Sequence, residues 1–244
     1  MLEIKDIKVY NLSEAIVKSG FPMDTGNLIE QFGYHVACVN HYIGEKTGGD
    51  NLISLFNKEE MYKIGESHFN RAKKLANTPS GSGHDCFTKS VRVSFNLKYP
   101  EYISPQLQRY NWFDIESSQS KMHRLTEMDI KTSCNKYVDD EMIDNLNKWI
   151  YLYNNFEGES SYSKIEKTIL VGIHQHKYTK YEIFMKIISN CPMGFEKWMG
   201  VSTNYMQLKT MYKQRKSHKL KEDYCKFCEF VENLPLFKEL MLDA

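Results

Sequence analysis

GHDCFTKSVRVSFNLKYPEYISPQLQRYNWFDIESSQSKMH, residues 83–123, is the stretch from which the fold of this chain is inferred. Apolar side chains occupy every second position of its first half, at Val91, Val93, Phe95 and Leu97. The residues between them are polar, and this alternation is typical of a β-strand that buries one face and exposes the other. We therefore predict a strand over residues 91–98.

A helix is predicted directly after this strand. Pro100 ends the alternation, and its fixed φ suits the first turn of a helix. The predicted helix runs from about Glu101 to Trp112 and carries Gln106, Arg109 and Tyr110 on neighbouring turns. The polar loop after it contains hydroxyl and basic side chains: Ser117, Ser118, Ser120, Lys121, His123 and Arg124. Backbone amides, hydroxyls and a fixed guanidinium all bind phosphate, so the stretch is a candidate phosphate site.

The composition favours a folded chain without a membrane span. At 244 residues the chain is long enough to bury a core, and its 32 Lys+Arg against 31 Asp+Glu give no argument for binding nucleic acid or a membrane surface. No apolar run approaches the roughly 20 residues that a span needs. The first residues alternate charged and apolar, so we expect no signal peptide and a cytoplasmic location. The six cysteines are scattered, which is typical of free thiols.

The remaining periodicity predicts an α+β fold in a single domain, residues 1–244. A first strand is predicted at Ile4–Tyr10. Helices are predicted at residues 12–19, 58–76, 139–155, 162–173 and 181–188, from Ser202 or Thr203 (either one as the N-cap) to Lys216, and from 221 to a point before Pro235. Residues 26–45 give a mixed pattern. Residues 79–83 are interpreted as a flexible linker.

The central stretch resembles the flavin-dependent thymidylate synthases. The family pattern opens with Gly-His, passes through a strand that ends near Lys-x-Pro, and continues as Gln-x-x-Arg-His-Arg-x-x-Ser-x-Asn-x-x-Ser-x-Arg-Tyr. The matching residues stand in the same order here, as Gly83, His84, Phe95, Lys98, Pro100, Gln106 and Arg109. The chain then departs from the pattern, since Tyr110 and Asn111 replace His and Arg, and Asp114 and Glu116 replace Ser and Asn. It looks most like divergent phage and prophage relatives, which share its Ser-x-Ser-x-Met-His ending at His123.

The C-terminal third resembles the same family in a second segment. Asn204-Tyr-Met-Gln-Leu-Lys and Gln214-Arg-Lys-Ser-His218 are similar to the family's Asn-Leu-Arg and Leu-Arg-x-x-x-His/Ala-Gln segments. Asn204 and Arg215 are eleven residues apart, about three helical turns, so both are predicted to face one side of a helix. His218 comes one residue early.

The resemblance implies a thymidylate synthase-like fold, with an antiparallel or mixed sheet and a long helical C-terminal half. It also implies C5 methylation of dUMP, or of a related pyrimidine nucleotide, with reduced FAD, NADPH as reductant and methylenetetrahydrofolate as the one-carbon donor. By resemblance the protein is a homotetramer. The implied nucleotide-binding residues are Gln106, Arg109, Ser120, Lys121 and Arg215. The implied flavin-binding residues are His84, Asn111, His123, Asn204 and His218.

Four of the candidate residues also have a purely structural interpretation. Arg109 needs an anionic partner, and Asp114 or Glu116 could supply it as an ion pair. Arg215 belongs to a basic run that is typical of a solvated helix end. His84 and His123 could be exposed loop histidines, although His123 could also act as an acid or base near neutral pH.

Two cysteine and histidine motifs suggest metal binding only weakly. Cys225-Lys-Phe-Cys228 has no second CxxC to complete a four-ligand zinc site, and both cysteines are predicted on the core-facing side of a helix. His174-Gln-His176 has no acidic or thiol partner close in sequence. There is no GxGxxG and no GxxxxGK[ST], so the sequence does not support a Rossmann or P-loop site.

Three hypotheses about function follow from the sequence. The first is a flavin-dependent nucleotide methyltransferase. The second is a non-catalytic relative that binds a nucleotide through Arg109 and Arg215 without flavin. The third is a phage interaction or structural protein that keeps only the fold. Bound flavin would distinguish the first from the others, and stabilisation by a nucleotide without flavin would favour the second.

Overall fold

A computed structural model of the chain describes residues 2–48, 57–79, 82–156 and 178–242. Its strands are β1 (Glu3–Tyr10), β2 (Arg92–Pro100), β3 (Asp114–Ser118) and β4 (Glu196–Asn204). The helices, in chain order, are α1 (Leu12–Lys18), α2 (Asn27–Glu30), α3 (Phe32–Thr47), α4 (Lys58–Ala76), α5 (Ser104–Leu107), α6 (Lys121–Arg124), α7 (Ile130–Ser133), α8 (Asp140–Asn154), α9 (Lys180–Ser189), α10 (Tyr205–Arg215) and α11 (Lys221–Glu232). Short 3-10 turns and a final π-helix, Lys238–Leu242, complete the described part. This is the α+β fold that the sequence predicts.

The four strands form an antiparallel sheet in the order β1-β2-β4-β3. The register of β2 against β4 is set by two backbone hydrogen bonds. Glu101 N–H donates to the Phe195 carbonyl at 3.0 Å, and Tyr205 N–H donates to the Val91 carbonyl at 3.1 Å. The end of each strand therefore lies beside the start of the other, as antiparallel pairing requires.

The alternation in β2 is confirmed by burial. Val91, Val93, Phe95 and Leu97 are all buried, and the residues between them are partly or fully exposed. Phe95 contacts Phe230 of α11 with ring centroids 4.8 Å apart. The buried face of the strand thus contributes directly to the hydrophobic core, which is the reason for its period of two.

The chain divides into two compact units. The larger unit contains Leu2–Leu97, Gln108–Glu116 and Gly200–Ala244, and the smaller contains Lys98–Leu107 and Ser117–Met199. The division falls within β2, β3 and β4, each of which contributes residues to both units. The single domain expected from the sequence stays a prediction.

The core of the larger unit includes a tight packing of α3 against α4. Gly65 lies in the middle of α4, and a Cβ atom at this position would come within 2.4 Å of the Cys38 carbonyl oxygen of α3. Since real Cβ atoms do not approach so closely, only glycine allows the two helices this contact. Aromatic rings extend the packing, with Tyr42 and Phe69 at 5.4 Å between centroids.

The smaller unit has its own apolar core, formed by α8, α9 and the segments that flank them. Its buried members are Leu125, Ile130, Ile143, Leu146, Trp149, Ile150, Ile183, Ile187 and Phe195. Thr179 starts α9 with a capping box: its hydroxyl accepts from Glu182 N–H, and the Glu182 carboxylate accepts from Thr179 N–H. The cap satisfies amides that the first helical turn leaves unpaired.

Most predicted helices agree with the structure, and three regions differ. The helix predicted from Glu101 to Trp112 is wrong beyond Leu107, because β3 begins at Asp114 and the chain must already be extended there to pair with β4. Residues 114–118 are a strand and not a loop. Ser202 and Thr203 lie in β4, so Asn204 is the N-cap of α10. The helix predicted at 162–173 lies outside the described residues.

Two further differences concern regions where the pattern was mixed or interrupted. Residues 26–45 contain α2 and most of α3. Strand β4 follows the break at Cys191–Gly194 and was not predicted. Its alternate residues Met199, Val201 and Thr203 are buried, so the strand is amphipathic like β2.

Candidate functional site

The predicted site residues divide between the two units. Arg109, Asn111 and Arg215 belong to the larger unit and line one cavity of about 400 Å³. The full set of described lining residues is Arg109, Tyr110, Asn111, Trp112, Gln207, Thr210, Gln214 and Arg215. We call this cavity the arginine pocket. Two of these eight residues carry a guanidinium, and none of the eight carries a carboxylate.

One wall of the arginine pocket is the turn at Arg109–Trp112, which follows the short helix α5. The turn is closed by Phe113 N–H donating to the Tyr110 carbonyl at 3.2 Å, and it is anchored by the Phe113 side chain, which is 4% exposed. The Thr203 hydroxyl donates to the Trp112 carbonyl at 2.7 Å. These contacts fix the backbone that presents Arg109 and Asn111.

The other wall is one face of α10. Gln207, Thr210 and Gln214 recur at the spacing that places residues on one side of a helix. The helix starts at an Asn204 cap, whose Oδ1 accepts from Gln207 N–H at 2.9 Å. This cap sets the start of α10 and therefore the direction in which its polar stripe points.

The Arg215 guanidinium is held between two tyrosine rings. Its Nε donates to the Tyr110 hydroxyl at 2.9 Å, and that hydroxyl donates to Gln214 Oε1 at 2.9 Å. The guanidinium carbon lies 5.5 Å from the Tyr110 ring centroid and 4.8 Å from that of Tyr224. Burial raises the pKa of Tyr224 to about 12, so this ring stays neutral beside the cation. The guanidinium is thus oriented before any ligand arrives, which lowers the entropic cost of binding an anion.

Arg109 is exposed, and no described residue forms an ion pair with it. The structural interpretation assigned it Asp114 or Glu116 as a partner. Asp114 instead lies 3.5 Å from Arg92. Glu116 lies beside Gly200, where a Cβ atom would be 3.4 Å from its Oε2. Arg109 therefore retains its charge at the mouth of the pocket.

Trp112 supplies an aromatic surface. Its side chain is 42% exposed, and the Lys89 ammonium lies 4.9 Å from its ring centroid. An exposed indole next to guanidinium and amide groups is suited to stacking on a planar base. Sequence inspection missed Trp112, Gln207, Thr210, Gln214 and Tyr224 as site residues. The polar stripe at positions 207, 210 and 214 was the signal that could have revealed the α10 wall.

The other predicted nucleotide-binding residues lie in the smaller unit, where they have structural contacts. Gln106 is a half-buried residue of α5, and Ser120 is the N-cap residue of α6. The Lys121 ammonium pairs with the Glu101 carboxylate at 3.3 Å, and Lys197 pairs with the same oxygen at 2.9 Å. Lys121 therefore shares a single carboxylate with Lys197, and the three groups together keep a net positive charge.

The predicted flavin-binding residues are distributed over both units. His84 is exposed in a turn of the larger unit, and His123 is exposed in α6 of the smaller. Asn204 is buried, and its side-chain oxygen caps α10. His218 Nδ1 accepts from Leu220 N–H at 3.2 Å. Asn111 is the one member of the predicted set that lines the arginine pocket.

His218 contributes to the site indirectly. Its ring packs edge-on against Tyr224 at 4.7 Å, and Tyr224 in turn contacts the Arg215 guanidinium. Burial and the nearby charges of Arg215 and Lys219 lower the pKa of His218, which favours the neutral ring. His218 thus supports the tyrosine that holds Arg215.

The cysteine motif carries no metal site among the described residues. Cys225 is exposed and Cys228 is buried, so the expectation that both face the core was wrong for Cys225. Burial raises the pKa of the Cys228 thiol to about 11, which disfavours the thiolate that a metal would need. No group of three or more metal-binding side chains is found in the described ranges, and His174 and His176 lie outside them. None of the described helices is long and apolar enough to cross a membrane.

Comparison with known proteins identifies the fold. No known family model matches the chain, and no curated protein matches its sequence. A solved thymidylate synthase X from Helicobacter pylori, determined with FAD and dUMP, aligns with a TM-score of 0.52 at 12% identity over 100% of this chain and 98% of its own. The chain has the fold of a flavin-dependent thymidylate synthase.

Two further solved structures give lower scores. A second Helicobacter pylori flavin-dependent thymidylate synthase, complexed with FAD and dUMP, has a TM-score of 0.49 at 13% identity, covering 85% of this chain and 93% of its own. The UMP/dUMP methylase PolB from Streptomyces cacaoi, bound with 5-Br dUMP, also has a TM-score of 0.49 at 13% identity, covering 98% and 90%. The alignment with a TM-score of 0.52 confirms the fold that the two sequence segments predict.

Proposed function

We propose that the arginine pocket binds a pyrimidine nucleoside monophosphate. The observation that carries this proposal is the joint presence of Arg109 and Arg215 in a cavity of about 400 Å³ whose other described lining residues have aromatic, amide or hydroxyl side chains. Two guanidinium groups match a phosphate dianion in charge and in hydrogen-bonding geometry. A cavity of this size is near the lower end of the range for small-molecule sites, which suits a mononucleotide.

The remaining groups of the pocket suit the base. An amide side chain both donates and accepts hydrogen bonds, as the edge of a uracil does, and Asn111, Gln207 and Gln214 are all amides. The Trp112 indole offers a stacking surface for the ring. The fold adds support, because the Helicobacter pylori synthase of the same fold was solved with dUMP.

Calorimetry with dUMP, UMP and deoxyuridine tests this proposal. We expect dUMP or UMP to bind at least about 10-fold more tightly than deoxyuridine, because charge-assisted contacts to phosphate each contribute on the order of 1.5–3 kcal/mol. Arg109→Ala should remove most of that preference. Arg124→Ala is the matched control, since Arg124 is exposed and pairs with Glu127 of the same segment at 2.6 Å.

Two results would overturn the proposal. One is equal affinity for dUMP and deoxyuridine, which would mean that the phosphate is not recognised. The other is an equal loss of affinity in Arg109→Ala and Arg124→Ala, which would mean that the net charge of the protein, and not the arginine pocket, determines the affinity. Tight binding of UMP and weak binding of dUMP would keep the proposal and change only the sugar specificity.

Methylation of the pyrimidine C5 is the reaction that the resemblance adds to nucleotide binding. It requires FAD, and of the five residues that the resemblance assigns to flavin, Asn111 is the one among the described lining residues of the arginine pocket. The side chains of the arginine pocket therefore support nucleotide binding by themselves. The visible absorption spectrum of the purified protein, recorded before and after adding FAD and dUMP, separates the two functions. A flavin band that sharpens with dUMP would establish a flavoprotein, and a colourless protein that still binds dUMP would support the non-catalytic alternative.

A further inference from the structure

A second cavity of the larger unit, of about 730 Å³, is rich in lysine. Its described lining residues are Asn77, Thr78, Pro79, Lys209, Tyr212, Lys213, Lys216, Glu232, Lys238, Met241 and Leu242. We call it the lysine pocket. Four of these residues are cationic at neutral pH and one is anionic, so the described lining carries a net charge of about +3.

The one carboxylate of the described lining already has a partner. Glu232 Oε1 accepts a short hydrogen bond from the Tyr212 hydroxyl, and this bond is the main reason that the pKa of Tyr212 is raised to about 12. Among the described residues, no ion pair joins Glu232 to a lysine of the pocket. The positive charge of the cavity is therefore largely uncompensated.

The deepest lysine is fixed in place. The Lys209 ammonium donates to the Ala76 carbonyl at 2.6 Å and to Asn77 Oδ1 at 3.4 Å. Burial and the charge of Lys213 lower its pKa, while Asp85 has a smaller opposite effect. An anion in the cavity would relieve the repulsion between Lys209 and Lys213.

The spacing of the lysines indicates the shape of the anion. Lys209 and Lys213 of α10 and its C-cap residue Lys216 follow one another at i, i+4 and i+7, so the Cβ atoms of neighbouring members are roughly 5–6 Å apart on one face. A single phosphate spans one such gap, whereas a chain of two or three phosphates follows the row. Lysine ammonium groups bind phosphate as point charges and tolerate this kind of linear ligand.

We propose that the lysine pocket is a second small-molecule site, which binds the oligophosphate group of a ligand such as a nucleoside di- or triphosphate. The site is separate from the arginine pocket, because the two cavities share no described lining residue and use different faces of α10. The proposal does not depend on the function proposed above.

Calorimetric titration with inorganic tripolyphosphate, and in parallel with orthophosphate, tests the site. We expect tripolyphosphate to bind at least about 10-fold more tightly than orthophosphate, since it can meet more than one lysine. The double variant Lys213→Ala/Lys216→Ala should lose about 10-fold or more in tripolyphosphate affinity. Both lysines are exposed, so the variant should fold as the wild type does.

Two controls distinguish binding in the lysine pocket from a general effect of charge and from binding in the arginine pocket. Lys221→Ala/Lys226→Ala removes the same charge from exposed positions of α11 outside the cavity and should leave binding unchanged. Arg215→Ala weakens the arginine pocket and should also leave tripolyphosphate binding unchanged. Absence of tripolyphosphate binding by the wild type, equal losses in both double lysine variants, or loss of binding in Arg215→Ala would each overturn the proposal.

Discussion

Arg215 and the pair formed by His35 and His68 are basic groups packed against aromatic rings in the larger unit, and they are held in opposite ways. Arg215 lies between Tyr110 and Tyr224, and it lines an open cavity. The two histidines pack edge-on at 4.9 Å, with Nε2 of His68 2.9 Å from Nδ1 of His35. Burial lowers the pKa of His35, and it lowers the pKa of His68 to about 4. The guanidinium is charged at every physiological pH, whereas the imidazoles are neutral.

The difference follows from the partners that each group has. One imidazole must offer a lone pair to the N–H of the other across 2.9 Å, so the two rings cannot both be protonated. Their outer nitrogens, His35 Nε2 and His68 Nδ1, have no hydrogen-bond partner among the described residues, and the charge of Arg71 further disfavours protonation. A base enclosed in this way stabilises the fold only while neutral. Arg215 instead faces a space into which an anion can enter.

The largest expected effect is the loss, in acid, of the contribution that the histidine pair makes to the free energy of unfolding. The pKa of His68 is lower in the folded protein than the value of about 6.5 expected in the unfolded chain. At pH values between these two pKa values, the unfolded state binds more protons than the folded state. The contribution of His68 is therefore fully present above pH 6.5 and is lost as the pH falls towards 4. For His68, which is 6% exposed, a shift from about 6.5 to about 4 corresponds to roughly 3 kcal/mol. Urea denaturation at intervals between pH 7 and pH 4 measures this loss.

The matched variant for this experiment is His68→Phe, which keeps a ring of similar shape and removes the titrating group. Its free energy of unfolding should vary less between pH 6.5 and pH 4 than that of the wild type. An identical pH profile in the two proteins would show that the pair does not control acid stability.

The next largest effect is on the ligand affinity of the arginine pocket when Arg215 is replaced. Arg215→Ala removes a fixed guanidinium from the arginine pocket and should weaken binding of a pyrimidine monophosphate by roughly 10- to 100-fold. Arg215→Lys keeps the charge but lacks the planar fork that Tyr110 and Tyr224 orient, so it should recover only part of the loss. Calorimetry on the wild type, Arg215→Ala and Arg215→Lys measures both the loss of affinity and its partial recovery. Full recovery by lysine would mean that charge alone matters and that the two rings have no role in orientation.

The sequence predicted the elements whose pattern depends on local burial. Strand β2 and helix α4 were found because their apolar residues repeat at the period of their own backbone. Strand β3 was missed because its burial pattern is exposed throughout and it exists only by pairing with β4 at the sheet edge. No apolar period marks such a strand, and the neighbouring Pro100 favoured a long helix in its place.

The candidate site was predictable to a similar extent. Arg109, Asn111 and Arg215 were found through the family pattern, although Arg215 is about one hundred residues from the other two in sequence. Tyr110 was noted as a helix residue next to Arg109 and as a departure from that pattern, but nothing in the sequence shows that its hydroxyl would accept from Arg215. Asn204 and His218, two residues of the predicted flavin set, form capping and loop hydrogen bonds that depend on the final backbone and could not be read from the sequence.

Lys209 is a third basic group of the larger unit, and it is half-buried. Its ammonium is kept by the Ala76 carbonyl and by Asn77 Oδ1, so it caps the C-terminal end of α4. Lys209→Met removes these hydrogen bonds and should lower the free energy of unfolding by about 1–2 kcal/mol. Lys213→Met, at an exposed position of the same pocket, should change it by less than about 0.5 kcal/mol. Thermal or urea unfolding of the two variants measures the difference, and equal stabilities would show that the cap is not formed in solution.

The smallest expected effect comes from a single oxygen in the arginine pocket. Tyr110→Phe keeps the ring beside the Arg215 guanidinium but removes the hydroxyl that links Arg215 to Gln214. The loss of one such hydrogen bond corresponds to about 1 kcal/mol, or roughly 5-fold in nucleotide affinity. Because Tyr224 still contacts the guanidinium, we expect the effect to appear in affinity and hardly in stability. Calorimetry and urea unfolding of Tyr110→Phe test both statements. Unchanged affinity would mean that the rings alone orient Arg215, and a loss as large as that of Arg215→Ala would mean that the Tyr110 hydroxyl contacts the ligand itself.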